Sequence, residues 1–412
     1  MEQLEQLKKR VEELEKRLDW YENPNTPPSR IRRIYIVKEE KEKGKPGQKE
    51  GHEGVTRFYP RPDEIKEVKL DKCSHCNSSN ISVIGMERKV IEDIPKPQPV
   101  KAMEYRIYKY RCSNCSKVSK AKTIDGRFGV NALDTTAMMK FEDRLPLRKI
   151  SSGMERMFSL RISAASVFDF TRRVSSKLRA DYDKLIDSIR KSKFVYVDES
   201  SIKVDGSLYW IWTFVGGSRS LIVIRKSRGR KVLAEVLGDY KGIVISDGWR
   251  SYAVYAAIQQ RCWAHLLREA DLARNVFNEE AEMLSSELHG LYSKAKDYWK
   301  HPPPDRNVRG ELENELDSII SREFHSEKVK KLINKIRKAM GCWFTFITHP
   351  YIEPTNNIAE RALREIVVQR KIIGTLRNDK GVFIYETMMS MIATWKMNGL
   401  NPYEMMVKCM QS

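Results

Sequence analysis

The stretch that most restricts the fold runs from Phe194 to His265. Phe194-Val195-Tyr196-Val197 leads into Asp198, and Leu208 to Val215 and Leu221-Ile222-Val223-Ile224 follow, with Asp205-Gly206 and Gly216-Gly217 in the gaps. Short runs rich in β-branched and aromatic residues, broken by two-residue glycine turns, predict three consecutive antiparallel strands. Gly229 to Leu237 then reads as a helix and Gly242 to Asp247 as a buried strand ending in a carboxylate. A helix from Ser251 to Ile258 and a short fifth strand around Arg261-Cys262-Trp263-Ala264-His265 complete the pattern. The predicted class is multidomain α/β.

This order of elements resembles a ribonuclease-H-like sheet, in which the first and fourth strands are neighbours. Asp198 and Asp247 would then leave the carboxyl ends of adjacent strands and face one cleft. Two carboxylates so placed can share divalent metals about 4 Å apart, activating a water or a 3′-hydroxyl and steadying the leaving oxygen of a phosphodiester. Hard oxygen ligands point to two Mg²⁺ or Mn²⁺. Glu199 is set aside because strand alternation turns it to the opposite face, and Asp205 because it sits in a hairpin turn.

A third carboxylate is expected from a later helix, visible over Thr355 to Val368. Asn357 and Glu360 have capping-box spacing, so a purely structural role for Glu360 competes with a catalytic one. At 100° per residue Ala359, Ala362, Leu363 and Ile366 form an apolar face, with Glu360, Arg364 and Lys371 on its flank. Arg361, Arg364 and Lys371 are candidate contacts to DNA phosphates.

The chain has 412 residues, with 75 Lys and Arg against 55 Asp and Glu, a formal net charge of +20. That balance favours a polyanionic partner, because each phosphate neutralised releases condensed counterions. No apolar run approaches the roughly 20 residues that cross a bilayer, and the first segment is too charged for a secretory signal, which predicts a soluble cytoplasmic protein with no membrane partner. Four of the 7 cysteines form two pairs, Cys73-Ser74-His75-Cys76 and Cys112-Ser113-Asn114-Cys115, with 35 residues between them. Thiolates at this spacing can complete one tetrahedral structural Zn²⁺, and the alternation in Lys101 to Arg111 supplies a ribbon. Cys262, Cys342 and Cys409 read as isolated and inert.

Leu4, Leu7, Val11, Leu14, Leu18 and Tyr21 recur at steps of three and four, the seam of a short coiled coil that a homodimer or higher oligomer would bury. The boundaries read as 1–22 coiled coil, 23–60 basic linker, 61–128 zinc ribbon, 129–190 helical, 191–265 with 351–380 catalytic core, 266–350 helical insertion and 381–412 C-terminal helical segment. Within 129–190, Asn131–Phe141, a helix opened by Pro146, and Ile162–Val174 with a serine cap are either a helix-turn-helix reader of the major groove or plain packing. In the insertion, Glu311–Ile320 and Lys328–Met340 are periodic.

Four motifs in order, Tyr196-Val197-Asp198-Glu199-Ser200, Ser246-Asp247-Gly248-Trp249-Arg250-Ser251-Tyr252, Cys262-Trp263-Ala264-His265 and Asn356 to Arg364, resemble those of the insertion sequence 66 family of DDE transposases. The similarity extends to Gly44-Lys45-Pro46-Gly47, Gly51-His52 and Met397 to Pro402. It departs from common members in a shorter amino terminus and in Ser200, where Thr is usual. The resemblance implies catalytic and metal-binding roles for Asp198, Asp247 and Glu360, and places His265 near the cleft as a candidate accessory. It also implies a nucleoid-associated prokaryotic enzyme that binds the double-stranded terminal repeats of its element, cleaves them and transfers strands to target DNA. The competing readings are a catalytically inactive DNA-binding relic and a ribonuclease-H-like junction or repair nuclease. Trp249 could stack on a base or pack.

Overall fold

The computed structural model describes residues 61–121, 126–253, 255, 258–274, 279–302 and 307–411. The expected coiled coil at 1–22 and basic linker at 23–60 lie outside them. The described residues fall into two units, 61–98 and 99–411.

In the first unit the Cys73–Cys76 pair closes a tight turn, with Asn77 N–H donating to the Cys73 carbonyl at 2.9 Å and Cys73 N–H to that of Ser78 at 2.8 Å. In the second unit Ser116 N–H donates to Cys112 and Cys112 N–H to Lys117, both at 2.9 Å. Each turn sends the residue after its second cysteine into the left-handed region, Asn77 at φ 57° and Ser116 at φ 56°. The strand expected over Lys101–Arg111 shrinks to β1 (Lys109–Arg111), which pairs antiparallel with β2 (Val118–Lys120) across the second cysteine turn. Residues 101–108 are exposed and pair with no strand among the described residues, so alternation alone does not hold them extended in a ladder.

Four helices follow: α1 (Val130–Phe141), α2 (Leu147–Phe158), α3 (Ala164–Lys177) and α4 (Arg179–Arg190). Ser163 caps α3 as expected, its hydroxyl accepting from Ser166 N–H at 3.0 Å. Ile150, Met154 and Val167 knit α2 to α3 in a small cluster bordered by Met139 and Ile162.

The central sheet is built from β3 (Phe194–Val204), β4 (Ser207–Gly216), β5 (Arg219–Arg225), then, after α5 (Arg230–Leu237), β6 (Ile243–Ser246), and, after the single turn α6 (Arg250–Ala253), β7 (Ile258–Arg261). Its order is β5-β4-β3-β6-β7, antiparallel through the two hairpins and parallel from β3 onward. Asp205 and Gly206 both have positive φ, 48° and 73°, the mirror-image turn that suits a two-residue hairpin. Two expectations are corrected here. Of the helix expected over Ser251–Ile258 the described residues show only α6, with Tyr255 in a turn and Ile258 already in β7. The fifth strand stops at Arg261, and α7 (Trp263–Arg274) begins where the strand was expected to continue. Trp263, Leu266, Leu267 and Ala270 are buried at helical spacing, and that periodicity outweighs the short apolar run Cys262-Trp263-Ala264.

The chain continues through α8 (Glu279–Lys300), α9 (Val308–Ile320), α10 (Glu327–Arg337) and α11 (Thr345–Thr348) to α12 (Asn357–Ile373), β8 (Thr375–Leu376), α13 (Asp379–Met397) and α14 (Pro402–Gln411). The fold is thus mixed α/β, with helices on both sheet faces. Tyr196 and Ile245 lie in one core cluster with Trp263, Leu288, Leu312 and Phe344, so the segment between β7 and α12 packs directly on the sheet. Val195, Val197, Trp212 and Val244 face the other way, onto α4 and α5.

Two sheet edges are closed by helix side chains. β8 pairs with the far end of β3 at Lys203 and Val204, while β6 reaches only Tyr196. Between them α12 covers the gap: Asn356 Nδ2 donates to the Val197 carbonyl at 2.9 Å, and Arg370 donates to the Ser201 carbonyl and, at 2.9 Å, to Ser200 Oγ. On the opposite edge, α13 presents Glu386, Ser390 and Thr394, one per turn, to the N–H groups of Ile224, Ile222 and Ser220. Among the described residues no helix is long and apolar enough to cross a membrane.

Candidate active site

The parallel register of β3 and β6 sets Tyr196 beside Ile245, and two residues further along each chain come Asp198 and Asp247. Alternation puts Asp198 on the face of Tyr196, while Asp247 lies just past the strand end, where its charge acts on Asp198, Glu199 and Tyr252. Asp247 directly follows β6, as expected. Asp198 does not end its strand: β3 runs on to Val204 in its hairpin with β4, and only the pairing with β6 ends before Asp198. Glu199 faces the other side, as alternation required.

Backbone hydrogen bonds next to each acid tie these strands to α12. Cys262 N–H donates to the Ser246 carbonyl at 2.9 Å, and Asn356 N–H donates to Cys262 Sγ at 3.1 Å. The Asn356 side chain reaches Val197, and Trp263 N–H donates to the Pro354 carbonyl at 3.1 Å. Val197, Ser246 and Asn356 thereby fix the residues that precede Asp198, Asp247 and α12. Sequence reading treated Cys262 as inert. Its thiol is buried and pushed up to about 11, chiefly by that burial, yet the residue joins the two segments, its N–H reaching Ser246 and its sulfur accepting from Asn356.

Glu360 does not form the capping box suggested by Asn357. The cap is Asn356, one residue earlier, and its side chain is committed to Val197 rather than to the helix. Glu360 therefore falls one position past the place a capping glutamate occupies. Its Oε1 instead lies 3.3 Å from Arg268 Nη2 and 3.5 Å from His265 Nδ1. His265 is on the first turn of α7, not at a strand end, with Arg268 one turn on. Burial and then the Arg268 charge lower the His265 pKa, against the opposing pull of Asp247 and Glu360, so the ring favours its neutral form. Arg268 was missed, although its spacing of three from His265 puts both on one helix flank.

Burial raises the Asp198 pKa well above the carboxylate range, and the charges of Glu199, Asp247 and Glu360 raise it further. Asp247 and Glu360 thus both lie within electrostatic reach of Asp198. The ligand-type atoms of Cys262, His265 and Glu360 all lie within 4.8 Å of one another, a group that Asp198 and Asp247 do not join. Arg361, Arg364 and Lys371 are exposed along α12. Within the group of Cys262, His265 and Glu360, His265 Nδ1 is buried without a hydrogen bond, so these three could hold a cation, while Asp247 and Glu360 act on Asp198 through their charge. In each cysteine turn, main-chain N–H groups aim at the first sulfur and lower its pKa, first those of His75 and Cys76 for Cys73, and those of Cys115 and Asn114 for Cys112. Thiolate-ready turns of this kind suit zinc.

Two proteins of Sinorhizobium fredii (strain NBRC 101917 / NGR234) are similar to this chain. Uncharacterized protein y4qI is 23% identical over 310 residues, covering 65% of this chain and 56% of its own length. Uncharacterized protein y4jD is 21% identical over 396 residues, covering 85% and 76%. The chain therefore spans little more than half of the first relative. The profile of the family described as Transposase IS66 family matches residues 125–383, which include both hairpins, the two aspartates, the His265 helix and Glu360. A match over more than half of the sequence, coinciding with the sheet and cleft just described, makes this chain a member of the IS66 transposase family.

Proposed function

We propose that the chain is a DDE-type transposase whose sheet is a ribonuclease-H-like catalytic core, with Asp198, Asp247 and Glu360 as its catalytic acids. The observation that carries this reading is the tethering of all three acid-bearing segments through Val197, Ser246, Cys262 and Asn356, with Asp247 and Glu360 both acting on the half-buried Asp198. Two Mg²⁺ or Mn²⁺ held by these acids would supply the activation of a water or 3′-hydroxyl and the stabilisation of the leaving oxygen. Arg268 offsets the Glu360 charge and orients its carboxylate by donating to Oε1. Arg361, Arg364 and Lys371 follow the phosphates of bound DNA. No covalent protein intermediate is needed, since hydrolysis and strand transfer both proceed by in-line attack at phosphorus.

The remaining assignments belong to the same proposal. Cys73, Cys76, Cys112 and Cys115 hold one structural Zn²⁺, a reading supported by their spacing and by the matching form of each turn taken singly. Residues 129–190 recognise DNA through the α2–α3 helix pair, 266–350 are an insertion in the core, and 381–412 close it. The amino-terminal heptads pair protomers so that two transposon ends are bridged in the prokaryotic cytoplasm, at the nucleoid. Asp247→Asn tests the reading with DNA flanking the coding region and Mg²⁺: cleavage and strand transfer are lost while end binding persists. Equal loss of binding and cleavage in a folded Asp247→Asn protein refutes it.

A further inference from the structure

Beside the acids lies a second arrangement that the cleavage chemistry does not use. Trp249, two residues after Asp247, donates its main-chain N–H to Asp247 Oδ1 at 2.8 Å, so the tryptophan is anchored to a catalytic side chain. Its ring is stacked on Arg228, whose guanidinium carbon lies 4.0 Å from the Trp249 ring centroid and 4.7 Å from that of Trp210. Arg228 is held in that position. Its Nε donates to Glu199 Oε1 at 2.8 Å, and the Glu199 side chain, 1% exposed, also accepts from the Tyr252 hydroxyl. Ser251 Oγ adds a contact to the Arg228 carbonyl at 3.4 Å. A buried carboxylate thus fixes a cation, and the cation braces an aromatic plane.

With one face on Arg228, Trp249 still remains 39% exposed. Lys226, Arg230 and Lys231 are exposed on the same loop and first turn of α5 that carry Arg228, so the segment that braces the platform is itself cationic. Interior packing does not require a large aromatic to be braced at the surface by a buried ion pair, since burying charge is itself costly. An aromatic plane backed by an arginine of a cationic segment matches the chemistry of a nucleic acid strand with an unpaired base: the plane takes the base and the cations take its phosphates. A base inside a duplex has both faces stacked and cannot use the plane.

We propose that Trp249, braced by Arg228, is a stacking platform for an unpaired DNA base next to the phosphate handled by Asp198, Asp247 and Glu360. The proposal rests on the catalytic reading for the identity of that phosphate, but its test does not use catalysis. In EDTA, the full-length protein is titrated with a blunt duplex and with the same duplex carrying a short single-stranded extension, 2-aminopurine being placed in the extension. The expected wild-type preference for the extended duplex is about tenfold, from the stacking of one base, with quenching of the 2-aminopurine on binding. Trp249→Ala brings the preference close to one and removes the quenching, whereas Trp249→Phe retains most of both. A wild-type preference near one, or an undiminished preference in Trp249→Ala, overturns the proposal. Because the titration is made in EDTA and reads binding alone, a failure of the catalytic reading shows in cleavage and a failure of the platform in this ratio.

Discussion

Two substitutions on α13 should have opposite effects on stability despite near-identical burial. Ser390 and Thr387 are both fully buried and three residues apart. Ser390 Oγ accepts from the Ile222 N–H at 2.8 Å, on the outer edge of β5 where no strand follows. Thr387 Oγ1 is buried without a partner. Ser390→Ala strands the Ile222 amide in the core, and an unsatisfied buried donor costs about 1–3 kcal/mol. Thr387→Val keeps the side-chain shape and removes a hydroxyl that has no bond, so it should be neutral or stabilising by up to about 1 kcal/mol. For a unit of this size about 1 kcal/mol moves the melting temperature by roughly 2–4 °C. Ser390→Ala should therefore melt several degrees lower, and Thr387→Val at or above the wild type, by calorimetry. Hydrogen exchange should locate the loss in Ser390→Ala at the Ile222 amide. Equal destabilisation by both changes, or unchanged Ile222 protection, would falsify the claim that α13 serves β5 as a surrogate strand.

Asp134 is buried on α1 with neither carboxylate oxygen hydrogen-bonded, and burial lifts its pKa from 3.8 to about 7. The folded protein therefore holds a proton that the unfolded chain releases, so stability falls as pH rises from about 4 to 7. Asp134→Asn should be the more stable protein at pH 8, by on the order of 2–4 kcal/mol at most, with the gap closing below pH 4; a gap independent of pH would exclude Asp134 ionisation as its source. Gly248, at φ 89°, leaves a Cβ only 1.7 Å from Arg261 Nη1, while Gly290 on α8 has nothing within 4 Å. Gly248→Ala should lower stability by about 1–3 kcal/mol and disturb the Asp247 turn, whereas Gly290→Ala should raise stability by about 0.5–1 kcal/mol; chemical denaturation of the pair compares them, and a harmless Gly248→Ala would show that the turn relaxes at no cost.

Local chemistry made much of the sheet legible. Asp205-Gly206 specifies its turn type, and the apolar runs on either side have no alternative to pairing. The junction from β7 to α7 was misread because Cys262-Trp263-Ala264 is too short to reveal its period, and the helical register becomes visible only through Leu266, Leu267 and Ala270. The start of α12 slipped by one residue, because Asn356 and Asn357 are equally good caps in sequence and Val197, 159 residues away, claims the side chain of the first. Cys262 carried no signal as a junction, since its partners Ser246 and Asn356 are supplied by two distant segments. The Glu199–Arg228–Tyr252 set was hidden for the same reason, although Trp249 stood within a recognised motif.

The adjacent pair Asp198-Glu199 shows how one strand serves two purposes. Alternation sends the two carboxylates to opposite faces, and the surroundings then separate their roles. Both oxygens of Glu199 are engaged, one by Arg228 and one by Tyr252, so its charge is consumed in fixing the loop from Trp249 to Tyr252. Asp198, Asp247 and Glu360 are positioned differently. The main chain at Val197, Ser246 and Asn356 carries the long-range tethers. Asp198 Oδ1 takes the N–H of the next residue, and Asp247 Oδ1 that of the residue two further on. The long-range tethers thus fall on backbone next to Asp198 and Asp247, whose own oxygens take only local N–H groups, whereas Glu360 Oε1 is met by Arg268. Glu360 is kept from a capping role because the helix opens at Asn356, one residue before Asn357, which leaves its carboxylate to pair with Arg268.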